Sequence, residues 1–212
     1  MAPSWDVVGH TAQTMRLVFV TFLALAAACG GALPNYPYAS EPDPHTKEIV
    51  LGVGDIITIN VWGEGNAGLN TEATIRPDGT ITMPLVGDLK AVGETPNALK
   101  AKIRTKLADF VKIQGTEISV AVKEWRSYRF TVQGEVLKTG MYTSAEYVTV
   151  SDALALAGGP TRFAKRSQIV LMRRDPKSKE IRRIPFDYEL LASGKRPDMN
   201  IFVLSGDTIY VP

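Results

Sequence analysis

The stretch that most constrains the fold is Thr74–Gly87, which reads T-I-R-P-D-G-T-I-T-M-P-L-V-G. Ile75, Ile81, Met83 and Leu85 mostly alternate with polar neighbours, the period-two pattern of half-buried strands. Between the two arms sits Pro77-Asp78-Gly79. Proline presets its own φ, aspartate bonds the backbone ahead of it and glycine accepts a positive φ, so the chain should reverse here. The two arms are read as one hairpin.

Upstream, Ile57, Ile59 and Val61 alternate with Thr58 and Asn60, a strand ending at Trp62-Gly63. The loop Gly63-Glu64-Gly65-Asn66 lacks the lysine of a phosphate-binding loop and is read as a turn. Downstream, Thr95-Pro96 places a hydroxyl at a helix cap and proline at the first helical position. Leu99, Ile103, Leu107 and Phe110 then recur at helical spacing, with Lys100, Lys102, Arg104 and Lys106 towards water. Ile118, Val120 and Val122 form the next strand. These elements make a small α+β unit over residues 48–126.

A second unit, 127–212, begins with Phe130 and Val132 and turns at Lys138-Thr139-Gly140 into Met141-Tyr142. Val150-Ser151-Asp152 starts a short helix that Gly158-Gly159-Pro160 stops. Ile169, Leu171 and Arg173 form a strand, Asp175-Pro176-Lys177 turns, Ile181 and Ile184 return, and a last strand holds Phe202–Val211 with Tyr210. G-D-T-I-Y-V-P from Gly206 weakly echoes G-D-I-I-T-I-N-V from Gly54, with Gly-Asp turning into a strand both times.

The N-terminus reads as an address. Met15-Arg16 is followed by Leu17–Ala28, a run of twelve residues broken only by Thr21, and then by Cys29, the only cysteine. A basic start, a short apolar core and small residues before the cut describe a secretory signal over residues 1–28. The run is too short to span a bilayer, which takes roughly 20 apolar residues. Ala27-Ala28-Cys29 resembles the bacterial lipobox, in which the cysteine is acylated and becomes the first mature residue. Trp5, Asp6 and His10 are unusual in a signal, so both Met1 and Met15 stay open as starts. Residues 29–47 carry Pro34, Pro37, Pro42 and Pro44 and are read as an extended tether, too polar for core.

The string R-P-D-G-T-I-T-M-P-L-V-G, preceded by Val53-Gly54-Asp55 and Val61-Trp62, resembles the signature of the bacterial polysaccharide export family. These are the Wza-type outer-membrane lipoproteins that pass capsule or exopolysaccharide out of the cell. V-Q-G-E-V-x-K-x-G-M-Y and V-S-D-A-L-A-L-A-G-G-P-T-x-F-A resemble the soluble-ligand-binding β-grasp (SLBB) module of those proteins, and G-D-T-I-Y-V-P its usual finish. Thr139 stands where that module usually has proline. The resemblance implies an α+β chain of two small β-grasp-like domains, each a mixed sheet with a helix, after the signal and tether. Carried over residue by residue, it marks Arg76, Pro77, Asp78, Gly79, Pro84 and Gly87 as the export motif, with a structural role in hairpin and turn. Gly134, Gly140, Gly158, Gly159, Gly206 and Asp207 are marked as the SLBB motif. No residue is marked as sugar-contacting.

The resemblance further implies a lipid-anchored protein of the outer membrane, facing the periplasm, that moves a polysaccharide chain. Domains this small enclose no pore alone, so a passage would need a homo-oligomeric ring closed head to tail. The implied partners are an inner-membrane polysaccharide co-polymerase and an outer-membrane β-barrel. Longer relatives end in an amphipathic helix that crosses the outer membrane. After the signal, the longest uninterrupted run of large aliphatic or aromatic residues is Ile201–Leu204, so this chain is not expected to cross. The competing reading is a monomeric, non-conducting envelope module that binds glycan or a partner. A third, an envelope hydrolase, has little to work with. Between Lys47 and Pro212 there is neither histidine nor cysteine, which removes the usual triads, thiol nucleophiles and His/Cys metal sites. Asp55, Asp78, Asp88, Asp198 and Asp207 all sit beside Gly or Pro, where aspartate serves the backbone. No enzyme activity, metal or cofactor is expected. A net charge of +2 spread along 212 residues gives no nucleic-acid footprint. The basic run Arg162, Lys165, Arg166, Arg173, Arg174, Arg182 and Arg183 fits either solvated strand faces or contact with acidic sugars or anionic lipid.

Overall fold

Alternation of Ile57, Ile59 and Val61 buries one face of strand β1 (Ile56–Trp62), around which the first half of the chain assembles. The computed structural model describes residues 35–63, 69–111, 115–175 and 178–212. The signal segment, Cys29, most of the Gly63–Asn66 loop and Pro176-Lys177 lie outside these described residues. Strand β1 is the centre of an antiparallel sheet between β2 (Thr71–Thr74) and β5 (Glu117–Glu124), with Ile59 opposite both Thr71 and Val120. Strands β3 (Thr80–Met83) and β4 (Gly87–Lys90) form a separate antiparallel pair. Helix α1 (Pro96–Leu107) starts where the Thr95 hydroxyl accepts from the Ala98 N–H, and it buries Leu99, Ile103 and Leu107 completely. Those three side chains close a core with Leu51, Ile75, Ile81, Met83 and Ile118.

The second half is a five-stranded sheet in the order β7-β6-β10-β8-β9. Its strands are β6 (Arg129–Gly134), β7 (Gly140–Thr143), β8 (Ile169–Arg174), β9 (Ile181–Phe186) and β10 (Thr208–Val211). First and last strands, β6 and β10, pair in parallel, and every other pairing is antiparallel. Helix α2 (Val150–Leu156) begins with a reciprocal Thr149–Asp152 capping box, and the short α3 (Tyr188–Ala192) is capped by Asp187. The architecture is α+β, with two small β-grasp-like assemblies. Residues Pro37–Pro212 form one compact unit. Among the described residues no helix is long and apolar enough to cross a membrane.

Five expectations need correction. The chain does reverse at Pro77–Gly79, where the Gly79 N–H donates to Arg76 O, but its arms are not one hairpin. Ile75 is tied to the Gly54-Asp55 backbone, which keeps β2 on β1, and β3 pairs with β4 across Pro84-Leu85-Val86 instead. Leu85, expected to point inward, therefore sits at that tip with φ 65° and is 54% exposed. Phe110 is exposed as well, because α1 stops at Leu107 and the helical spacing no longer holds. The last strand begins only at Thr208; Phe202 makes an isolated bridge to Thr149, and a turn at Ser205-Gly206 intervenes.

The fifth correction concerns the tether. Residues 37–47 do not hang free but form a strap of two 3₁₀ turns, Tyr38–Ser40 and Pro44–Thr46. Tyr38 is buried and its hydroxyl donates to Pro185 O at 2.7 Å. Pro44 is buried, and the His45 ring meets Tyr147 and Phe202 edge-on at 5.3 and 4.9 Å. The prolines bend the strap so that its aromatic rings reach the sheet.

Candidate functional site

The export motif organises an exposed polar surface on the outward side of β3 and β4, opposite the buried Ile81 and Met83. The Arg76 guanidinium donates to Thr80 Oγ1 at 2.6 Å, Thr82 Oγ1 at 3.2 Å and Asp88 Oδ2 at 2.8 Å. Asp78 accepts from both the N–H and the hydroxyl of Thr80, and Thr82 donates to Asp88 at 2.6 Å. Hydrogen bonds from Thr80 hold the Asp78 carboxyl below its usual range; Thr82, then Arg76, do the same for Asp88. Since these folded values are depressed, the support they give is present at neutral pH and fades as pH falls through them. Pro84 and Gly87 bracket the tip.

Gly79 closes the first turn at φ +79°, and an added Cβ would stand 2.3 Å from Val92 Cγ1. Gly79→Val is therefore expected to lower stability by about 2–4 kcal/mol, from left-handed strain and overpacking together. A thermal melt at the wild-type midpoint would refute this reading of the turn.

Two Gly-Asp pairs build the same joint. In each, the aspartate N–H donates to the carbonyl three residues back, Asp55 to Gly52 and Asp207 to Leu204. In each, the carboxylate accepts the N–H of that same residue, at 2.8 and 2.7 Å. Both aspartates are buried, both glycines have positive φ (92° and 88°), and each pair leads straight into a strand. The echo read in the sequence is thus a repeated turn.

The two carboxylates differ in what else they hold. Asp55 accepts from the Arg126 N–H, the Ser127 N–H and the Ser127 hydroxyl at 2.7–2.9 Å, fastening the start of β1 to the segment that links β5 to β6. Asp207 binds Arg173, whose NH2 reaches Oδ2 at 2.6 Å. Arg173 also pairs with Glu41 of the strap at 2.6 Å and donates to Phe202 O at 2.7 Å. Its side chain is 5% exposed, and those of Glu41 and Asp207 are 2% exposed. Arg173 is therefore no part of a solvated basic face, and Arg182, outside it, also bonds Glu41. Burial raises the Asp207 carboxyl above its ordinary value, with Arg173 opposing that shift.

Between strap and joint lies a groove of about 830 Å³, with Trp125, Tyr128 and Tyr147 beside Lys47, Glu48 and Ser205 in its wall. Trp125 stacks on Tyr128 at 4.7 Å, Tyr147 stands edge-on to both, and the Tyr128 hydroxyl donates to Val203 O.

The remaining motif residues serve the second sheet. Gly134 ends β6 against the Val211 backbone, and Gly140 opens β7. Gly158 and Gly159, both at positive φ, carry the chain out of α2, where Lys138 donates to Ala157 O and Leu137 to Gly159 O. The two motif sets stay apart, each in its own sheet. Glu41 and Arg173, which join strap to sheet, were missed by the motifs. The period-two alternation of Ile169, Leu171 and Arg173 is the sequence signal for the second of them. Among the described residues no group of three or more His, Cys, Asp or Glu could hold a metal ion.

Turns, joint and strap together define an α+β protein of two small β-grasp-like modules. Residues 43–123 match the polysaccharide biosynthesis/export protein family and residues 129–185 match the SLBB domain. The chain is a member of the Wza-type polysaccharide export family, with one domain of each kind. It is 23% identical over 176 residues to the capsule polysaccharide export protein BexD of Haemophilus influenzae, covering 75% of this chain and 42% of BexD. It is 29% identical over 163 residues to the exopolysaccharide production protein ExoF of Rhizobium meliloti, covering 73% and 37%. It is 22% identical over 203 residues to the capsule polysaccharide export outer membrane protein CtrA of Neisseria meningitidis serogroup A, covering 88% and 50%. The chain thus spans half or less of the length of these relatives.

Proposed function

We propose that this protein is a non-catalytic component of polysaccharide export across the cell envelope, held at the outer membrane by a lipid on Cys29 and facing the periplasm. The observation that carries the reading is an export domain followed by an SLBB domain within one compact unit. Relatives similar over 73–88% of this chain bear the names of capsule or exopolysaccharide proteins. Filled cores leave no channel inside either module, so the sugar chain passes between subunits of a head-to-tail ring. The ring docks on an inner-membrane polysaccharide co-polymerase and hands the chain to an outer-membrane β-barrel.

Deleting the gene should leave polymer inside the cell, and restoring it should return polymer to the surface. Cys29→Ser should remove acylation, leave unprocessed precursor and reduce surface polymer, since no second cysteine offers a thiol. Undiminished surface polymer in the deletion strain, or labelled fatty acid in the serine variant, would contradict the reading. Images of the detergent-extracted protein separate a closed ring from a non-conducting monomer that only binds glycan.

A further inference from the structure

The five-stranded sheet buries one face and leaves the other open. Phe130, Val132, Leu171, Ile184, Ile209 and Val211 fill the core side. Alternation sends their neighbours outward, and the registers align them in rows. Met141, Thr131, Thr208, Met172 and Arg183 form one row across all five strands. Gln133, Tyr210, Val170 and Pro185 form the next. On the other side, Arg129 lies opposite Thr143 and Arg174 opposite Ile181, with Gly206 bonded to the Arg129 carbonyl between the two arginines. Met141 is 66%, Ile181 55% and Tyr210 41% exposed.

The charge on this face has one sign. No outward strand position is Asp or Glu, and the acid just beyond β6, Glu135, accepts from the Thr161 hydroxyl. Among the described residues Arg129, Arg174 and Arg183 are in no ion pair. Residues 127–212 carry thirteen Lys and Arg against nine Asp and Glu, so the excess positive charge of the chain belongs to this half. Five strands at about 4.8 Å spacing make a surface roughly 19 Å wide. Thr131 and Thr208 share the row of Arg183, Thr143 lies opposite Arg129, and Gln133 lies beside Tyr210 in the next row.

We propose that this outer face binds an acidic polysaccharide. Arg129, Arg174 and Arg183 take up carboxylates with paired N–H donors, the threonines and Gln133 meet hydroxyls, and Tyr210 stacks on a sugar ring. Three cations on a face that also carries threonine hydroxyls and the Gln133 amide match a chain bearing both carboxylates and hydroxyls. The apolar side chains of this face, Met141 and Ile181 on the two edge strands with half-buried Val170 and Met172 between them, form no continuous exposed rim of the kind that enters an anionic lipid surface. The inference rests on the export reading and narrows its cargo to polymers that carry negative charge.

The test titrates the whole purified protein with an oligomer of galacturonic acid, a neutral glucose oligomer of equal length and phosphatidylglycerol vesicles. The acidic oligomer should bind at least about tenfold more tightly than the neutral one and weaken as salt is raised. Arg174→Gln with Arg183→Gln should lower that affinity about tenfold or more, and Tyr210→Ala or Arg183→Glu alone should lower it too. Lys138→Gln with Lys195→Gln removes the same charge elsewhere and should change it less than about twofold. Equal binding of the two oligomers, an equal loss in the lysine pair, or losses confined to vesicle binding or self-association would overturn the proposal. Export is scored in the same strains. Absent oligomer binding with polymer still retained in the deletion strain removes this face and leaves the export reading; normal surface polymer in that strain removes the export reading itself.

Discussion

Replacing Arg173 with leucine should lower the unfolding free energy by about 3–5 kcal/mol, the usual effect of removing one partner from a buried ion pair. Its guanidinium serves two carboxylates that are each 2% exposed, so the variant leaves Asp207 charged in the interior without its cation, while Glu41 keeps Arg182 but loses the shorter of its two ion pairs. For a chain of this size the expected fall in melting temperature is roughly 6–20 °C. The deficit should also depend on pH. Burial already raises the folded Asp207 pKa above its unfolded value. A raised carboxyl gives stability that is full below the unfolded pKa and is lost as pH rises through the folded one. Without the guanidinium the folded value climbs further, so the variant should recover part of its loss between about pH 7 and about pH 5. Urea unfolding at both pH values measures this, and a deficit that is absent or constant with pH rules the clamp out.

Gly134→Ala should cost about 3–5 kcal/mol, from left-handed strain and a backbone collision together. A Cβ at Gly134, where φ is +93°, would lie 1.9 Å from Val211 O, the atom that accepts the Glu135 N–H. Backbone cannot step aside as a side-chain end can, so the parallel β6–β10 pairing must open. Gly140→Ala is the matched control. Nothing lies within 4 Å of its added Cβ, and the change should be within about 1 kcal/mol of neutral, with either sign. Equal melting temperatures for the two variants would contradict the parallel β6–β10 joint.

Local chemistry made most of the elements legible. Thr95-Pro96 with Leu99, Ile103 and Leu107 predicts α1, and the period of two in Ile57, Ile59 and Val61 predicts β1; both are present. Pairing was harder. Nothing in T-I-R-P-D-G-T-I-T-M says that Ile75 will bind the backbone beside Asp55 and pull its arm away from β3. Leu85 follows the alternation of Ile81 and Met83 but falls where the chain must turn. The strap is the clearest limit. Its prolines and polar residues are those of a solvated linker, and its partners lie 132 and 147 residues away, at Arg173 and Pro185. Composition registers the bends, not what they meet. Of the residues singled out by motif, most turned out to hold turns and strand joints, while the outward arginines of β8 and β9 became visible as a surface only through the strand register.

The strap also decides where mechanical load would travel. A pull applied at Pro37 meets Tyr38 and Glu41 before it can reach β1. Tyr38 passes force to the β9 backbone at Pro185, and Glu41 passes it to β8 through Arg173. Strands that come next in sequence are thereby bypassed, and the export motif around Arg76 is shielded from tension. The strap's side chains thus hand load to the later sheet, so the SLBB module would bear the strain while the export module stays relaxed.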